Sequence, residues 1–168
     1  LLSCKSRNPE PVLQSLRGNS DVKIYLSEYN LENVPKEIGT LKGVKRLYIS
    51  KDTIQGWTIY PPLSALGQNK MTPPFKHLPK EITQLTTLQT LTLVNLDLVT
   101  LPDDMYKLEN LDSLILFMNK LTISNELNKL KSLKRLRYLG LLGNNVTADD
   151  LDQLKKSIPG VAINPELR

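Results

Sequence analysis

Leucines recur along the chain in two alternating rhythms. Leu88, Leu91 and Leu93 end in a Leu-x-Leu step, which puts two side chains on one face of an extended segment. Leu101, Met105 and Leu108 then fall three to four apart, the spacing of a helical turn. The cycle restarts at Leu111, 23 residues on (111 − 88), with Leu114, Leu116, Asn119 and Leu121. A period in the twenties, strand first and turn second, predicts a stack of similar units that share one core.

Taken in order, residues 11 to 17 read as a short helix. Pro11 suits its first turn, Val12, Leu13 and Leu16 share a face, and Gly18 stops it. Residues 11–20 are expected to cap the first unit, and the repeats run from 21 to 168. The first unit, 21–43, points Ile24 and Leu26 inward and continues with Leu31, Val34, Ile38 and Leu41. Its ninth position is Tyr29, where other units carry an Asn that bonds backbone as the strand turns away. The second unit starts at Val44, with Leu47, Ile49 and Ile54 in register, and then the period breaks.

From Val44 to Leu88 is 44 residues (88 − 44), close to two cycles, and the interval is rich in proline. Leu66, Asn69 and Met71 fit a strand exit, so residues 61–87 are expected to form an irregular third repeat. The alternative is an inserted loop without a strand. Regularity returns in a fourth unit at 88–110 and a fifth at 111–135, whose return segment Glu126 to Leu136 predicts a true helix. In the sixth unit Thr147 and Asp150 resemble a capping box, which predicts a helix to about Ser157. Pro159-Gly160 ends it, and an edge strand follows at about 161–163.

Two phrases narrow the family: Leu31-Glu-Asn-Val34-Pro35-Lys-Glu-Ile38-Gly39-x-Leu41-Lys and Leu78-Pro79-Lys-Glu-Ile82-x-x-Leu85. Both resemble the 23-residue bacterial leucine-rich repeats with a Leu-Pro-x-x-Ile turn, including the short secreted or surface proteins of spirochaetes. The opening from Leu13 to Val22 is similar to the entry cap of that group. The resemblance implies an α/β right-handed solenoid. Short parallel strands would line its concave face, with short helices and irregular loops on the convex face. It implies protein binding and carries no catalytic residues.

Leu1-Leu2-Ser3-Cys4 resembles a bacterial lipobox, as if an upstream signal segment had been trimmed. The first ten residues then read as its remnant and a linker, with Cys4 as the lipidation site. The expected location is exported: the outer membrane or cell surface, the periplasm, or secretion. A buried or incidental free thiol is the plainer account of Cys4.

Composition trims the remaining options. With 5% aromatic content, the core must be mostly Leu, Ile and Val. One Cys and one His, His77, offer no disulfide pair and no set for a metal or a His-based catalytic centre, so no cofactor is expected. No apolar stretch approaches the ~18–20 residues of a membrane span. The +5 charge is mainly a matter of solubility. Asp103-Asp104 and Asp149-Asp150 are adjacent pairs at helix starts, where acids favour the dipole, and sequence neighbours diverge around a helix. An enzyme is not expected.

Candidate binding residues come from the alternation itself. If the leucines point inward, the residues between them face solvent on the strand side. That side offers a basic and aromatic zone, Tyr25, Arg46 and Tyr48, and an apolar zone, Val94, Ile115, Phe117, Met118, Tyr138 and Leu142. Apolar residues on a face that should be polar point to a protein partner, from a host or a second copy of the chain. Scattered apolar residues without meaning are the plainer account. A self-associating scaffold is the functional alternative. Lys129, Lys131, Lys134, Arg135, Arg137, Lys155 and Lys156 read as a solvated convex face that could touch anionic lipid or glycan. Nucleic acid is not expected, because the basic residues are not interleaved with stacking aromatics. Trp57, Tyr60 and Phe75 either bind or fold back to seal a gap in the core.

Overall fold

The computed structural model describes residues 8–52 and 77–165. Six strands form one sheet in chain order: β1 Asp21–Tyr25, β2 Arg46–Ser50, β3 Thr90–Val94, β4 Ser113–Ile115, β5 Tyr138–Gly140 and β6 Ala162–Asn164. Every pairing is parallel. Val22, Leu47, Leu91, Leu114, Leu139 and Ile163 lie in one row across the sheet. All but the partly exposed Ile163 are buried. The row exists because alternate residues of a strand share a face.

Parallel neighbours need a crossover, and here the crossovers form the second layer. The first three are 3-10 turns, Lys36–Thr40, Lys80–Gln84 and Asp103–Lys107. The last two are helices, α2 Ile123–Ser132 and α3 Ala148–Ser157. Pro35, Pro79 and Pro102 stand in extended conformation just before each 3-10 turn. Each turn has an acid in its first residues and drives Ile38, Ile82 or Met105 into the core. The Leu101–Leu108 spacing, expected as a helical turn, closes with 3-10 bonds because so few residues separate Pro102 from Leu108.

The expected third repeat adds no strand to the sheet between β2 and β3. β2 pairs directly with β3, with Tyr48 opposite Thr92 and Ser50 opposite Val94. The second layer agrees: the Lys36–Thr40 turn packs on the Lys80–Gln84 turn. A Cβ on Gly39 would come within 2.8 Å of the Glu81 carbonyl oxygen, so only glycine permits that approach. Leu78-Pro79 therefore closes the unit that β2 opens, and no rung stands between β2 and β3. Leu66, Asn69, Met71, Trp57, Tyr60, Phe75 and Cys4 lie outside the described residues.

A first helix, α1 Glu10–Leu16, buries Leu13 and packs against the Lys36–Thr40 turn. Helix α2 begins and ends earlier than the leucine spacing predicts, and its buried face is Ile123, Glu126 and Leu130. The capping box on α3 forms as expected: the Asp150 N–H donates to Thr147 Oγ1 (3.1 Å) and the Thr147 N–H to Asp150 Oδ2 (3.0 Å).

Side chains also tie units together. Asn119 is buried and reaches into the unit before it. It accepts from the Leu96 and Leu98 N–H groups (3.1 and 3.3 Å) and donates to the Leu93 carbonyl (2.9 Å). Asn144 repeats the device one unit on, donating to the Leu116 carbonyl at 2.6 Å. Glu126, equally buried, accepts from the Thr100 hydroxyl (2.8 Å) and the Leu101 N–H (3.0 Å).

Candidate functional site

The solvent face of the sheet carries the residues between the buried rows. Residues 23, 48, 92, 115 and 140 are successive partners across it, so Lys23, Tyr48, Thr92, Ile115 and Gly140 form one line. At ~4.8 Å per strand, Tyr48 and Ile115 stand about 10 Å apart with Thr92 between them. The two expected zones thus belong to one continuous face.

In the first zone the Tyr25 and Tyr48 rings meet at 5.7 Å between centroids, tilted by 59°. That geometry suits the ring quadrupoles better than flat stacking. Arg46 lies beside them on the surface in an ion pair with Asp21, whose hydrogen bond and charge raise the guanidinium pKa further. A shallow hollow of about 470 Å³ runs over Lys23, Arg46, Tyr48, Thr90 and Thr92.

In the second zone Phe117 does not enter the core. Its ring lies over Gly140, whose missing Cβ would sit 2.7 Å from Phe117 Cε1 and 3.4 Å from the Tyr138 ring. Met118 takes a left-handed backbone (φ 54°) and rests on Gly143 in the same way, its Cγ 3.1 Å from where a Cβ would be. Two glycines thus make a shelf for two apolar side chains. Met118 remains 54% exposed, and Ile115, Phe117, Tyr138 and Leu142 are partly exposed. The Tyr138 hydroxyl accepts from Asn164 Nδ2 (3.3 Å).

Val94 is a correction. It is 5% exposed and cannot present itself to a partner. It stands between neighbours, with Ser50 opposite on β2 and the Phe117 carbonyl bonded by the next residue, Asn95 (3.0 Å). Ser50 is buried as well, its hydroxyl donating to the Asp52 carbonyl (2.9 Å).

The basic run is not one convex face. The Lys129 ammonium donates to Thr100 Oγ1 and the Leu101 carbonyl (both 2.7 Å) and pairs with Glu126 Oε2 at 3.2 Å, leaving 17% of the side chain exposed. It is a strut between units. Lys155 and Lys156 stay exposed on α3, and Lys134, Arg135 and Arg137 gather at the edge where the strands begin. The leucine pattern does not announce the burial of Glu126, nor that Gly140, a solvent-facing strand position, and Gly143 carry Phe117 and Met118. The available signal was the Gly140–Gly143 pair one unit after Phe117 and Met118.

Among the described residues no cluster of His, Cys, Asp or Glu could hold a metal ion, and no helix is long and apolar enough to cross a membrane.

Comparison with known proteins agrees with this architecture. No family model matches the chain, and no curated protein matches it. Among solved structures, a leucine-rich-repeat protein of Leptospira interrogans superposes with a TM-score of 0.57 at 25% sequence identity. The match covers 78% of this chain and 28% of that one, so the chain spans little more than a quarter of its neighbour's length. The leucine-rich-repeat fold and the likeness to a spirochaete protein stand on this match.

Proposed function

We propose that this leucine-rich-repeat chain is a protein-binding module that grips its ligand on the solvent face of the sheet. In this reading the six strands line the concave side of a right-handed coil. Tyr25, Arg46, Tyr48, Ile115, Phe117, Met118, Tyr138 and Leu142 make the contact.

One observation carries the proposal. Phe117 and Met118 rest on glycines at the surface, where the fold needs neither of them for its core. Aromatic residues and methionine are enriched at the centres of interfaces, where a flat, dry contact gives most of the binding energy. The test is capture of partners from the native environment on wild type beside Phe117→Asp, with circular dichroism to check folding. Loss of captured protein on the variant is the expected result. Unchanged capture by a folded variant would remove the face from consideration.

A scaffold that self-associates is the second reading, favoured by β6, which pairs only with β5 among the described residues. Light scattering against concentration separates the two: a stable dimer abolished by Phe117→Asp assigns the face to a second copy. We further propose export and anchoring through an acylated Cys4, supported by the lipobox resemblance alone. Mass analysis of the N-terminal peptide from cells tests it, since an unmodified thiol there excludes the anchor.

A further inference from the structure

The edge where the strands begin holds a groove of about 610 Å³ with an uneven charge. Arg46, Lys134, Arg135 and Arg137 line it with the carboxylate of Asp112, and Arg46 is already paired with Asp21. All four cationic side chains are exposed. Among the described residues Lys134, Arg135 and Arg137 form no ion pair, and Asp112 is already engaged by the Ser113 hydroxyl (2.8 Å). The Arg135 guanidinium is held by Asn110 Oδ1 (3.0 Å), which fixes the direction it faces. Like charges gathered this way repel one another. An incoming anion would relieve them.

The groove is continuous with the face already described. Arg46 and Thr90 line both it and the hollow that contains Tyr48. The face is therefore polarised along the strand direction, with cations where the strands begin, Tyr25 at the end of β1, and Phe117 and Leu142 two residues past the ends of β4 and β5. A five-residue strand is ~17 Å long, so an extended segment of about five residues reaches from one end to the other.

We infer that the partner is a protein presenting a carboxylate-rich segment next to an apolar one, with the carboxylates seated against Arg135 and Arg137. The inference rests on the protein-binding reading above. Guanidinium groups match carboxylates with two parallel hydrogen bonds, and a sulfated glycan would offer nothing to the Phe117 end of the same strands.

The test uses fluorescence anisotropy with a labelled peptide carrying four Glu followed by a Leu/Phe block. Its Gln counterpart and a heparin oligosaccharide serve as comparison probes. Wild type should bind the Glu peptide about tenfold or more tightly than the Gln peptide. Arg135→Glu with Arg137→Glu should erase that preference, while Lys155→Glu with Lys156→Glu, the same charge change on α3, should keep it. Equal loss in both double variants would make the effect one of bulk charge and overturn the inference. So would equal binding of the two peptides, or binding of heparin alone. If the Gln peptide binds wild type as tightly as the Glu peptide and fails on Phe117→Asp, the protein-binding reading survives and the acidic segment does not.

Discussion

Phe117 owes its position to a residue that is not there. Gly140 leaves the space its ring occupies, and a methyl group in that place would lie 2.7 Å from Cε1. Gly140→Ala should therefore push the ring off its shelf, costing ~1–3 kcal/mol as overpacked sites do. Urea unfolding measures the cost, and partner capture should weaken even where the fold survives. Asn119 is the opposite case, a side chain the fold cannot lose. Asn119→Ala strands the Leu96 and Leu98 N–H groups and the Leu93 carbonyl, and should cost ~2–4 kcal/mol, since each buried orphan is expensive. The exposed Asn125→Ala on α2 should change stability by less than about 0.5 kcal/mol. Asn119 was legible in the sequence because its place in the unit announces its bonds. Glu126 was not: among leucines a carboxylate reads as solvated, and only the Thr100 and Leu101 groups of the preceding unit explain its burial.

At the scale of elements, local chemistry was readable and boundaries were not. Thr147 and Asp150 cap α3 as their spacing implied, because a capping box involves only residues three apart. Thr147→Ala should lower stability by about 1 kcal/mol, read from the thermal midpoint, with the loss confined to α3 and β6 in amide exchange. Helix α2 starts three residues before the expected start at Glu126, since Ile123 and Glu126 share the buried face with Leu130. The basic run divides for the same reason. Its members span the end of α2 and the entry to β5, and one continuous helical face cannot hold them all. Lys129 went inward to meet Glu126, while Arg135 and Arg137 went to the strand edge.

For the molecule as a whole, the leucine period disclosed the parallel sheet and its order, because each inward row is one leucine position repeated. What the period concealed was the count of rungs. The interval from Val44 to Leu88 nearly equals two cycles, yet β2 and β3 are direct partners. Strand pairing depends on which residues meet, and a loop's length adds only slowly to its closure cost. Replacing residues 53–76 with a three-residue Gly-Ser linker should therefore leave the sheet intact. The linker restores the five residues that separate Val94 from Thr100, the partners of Ser50 and His77. An unchanged circular dichroism spectrum and cooperative melting check this, and collapse to an unfolded spectrum would contradict it.

The asparagine ties are unevenly distributed, and that has a mechanical consequence. Asn119 and Asn144 stitch the last three units to one another, but the unit begun by Leu88 carries Leu96 in that position and offers no such stitch backward to β2. The unit begun by Val44 carries Asp52 there and has no such stitch either, so under tension applied through its two ends the chain should tear first at the unstitched seams, between Ile24 and Ile49 and between Ile49 and Leu93. Single-molecule pulling would record the N-terminal part yielding as one early event and the stitched part holding to a higher force.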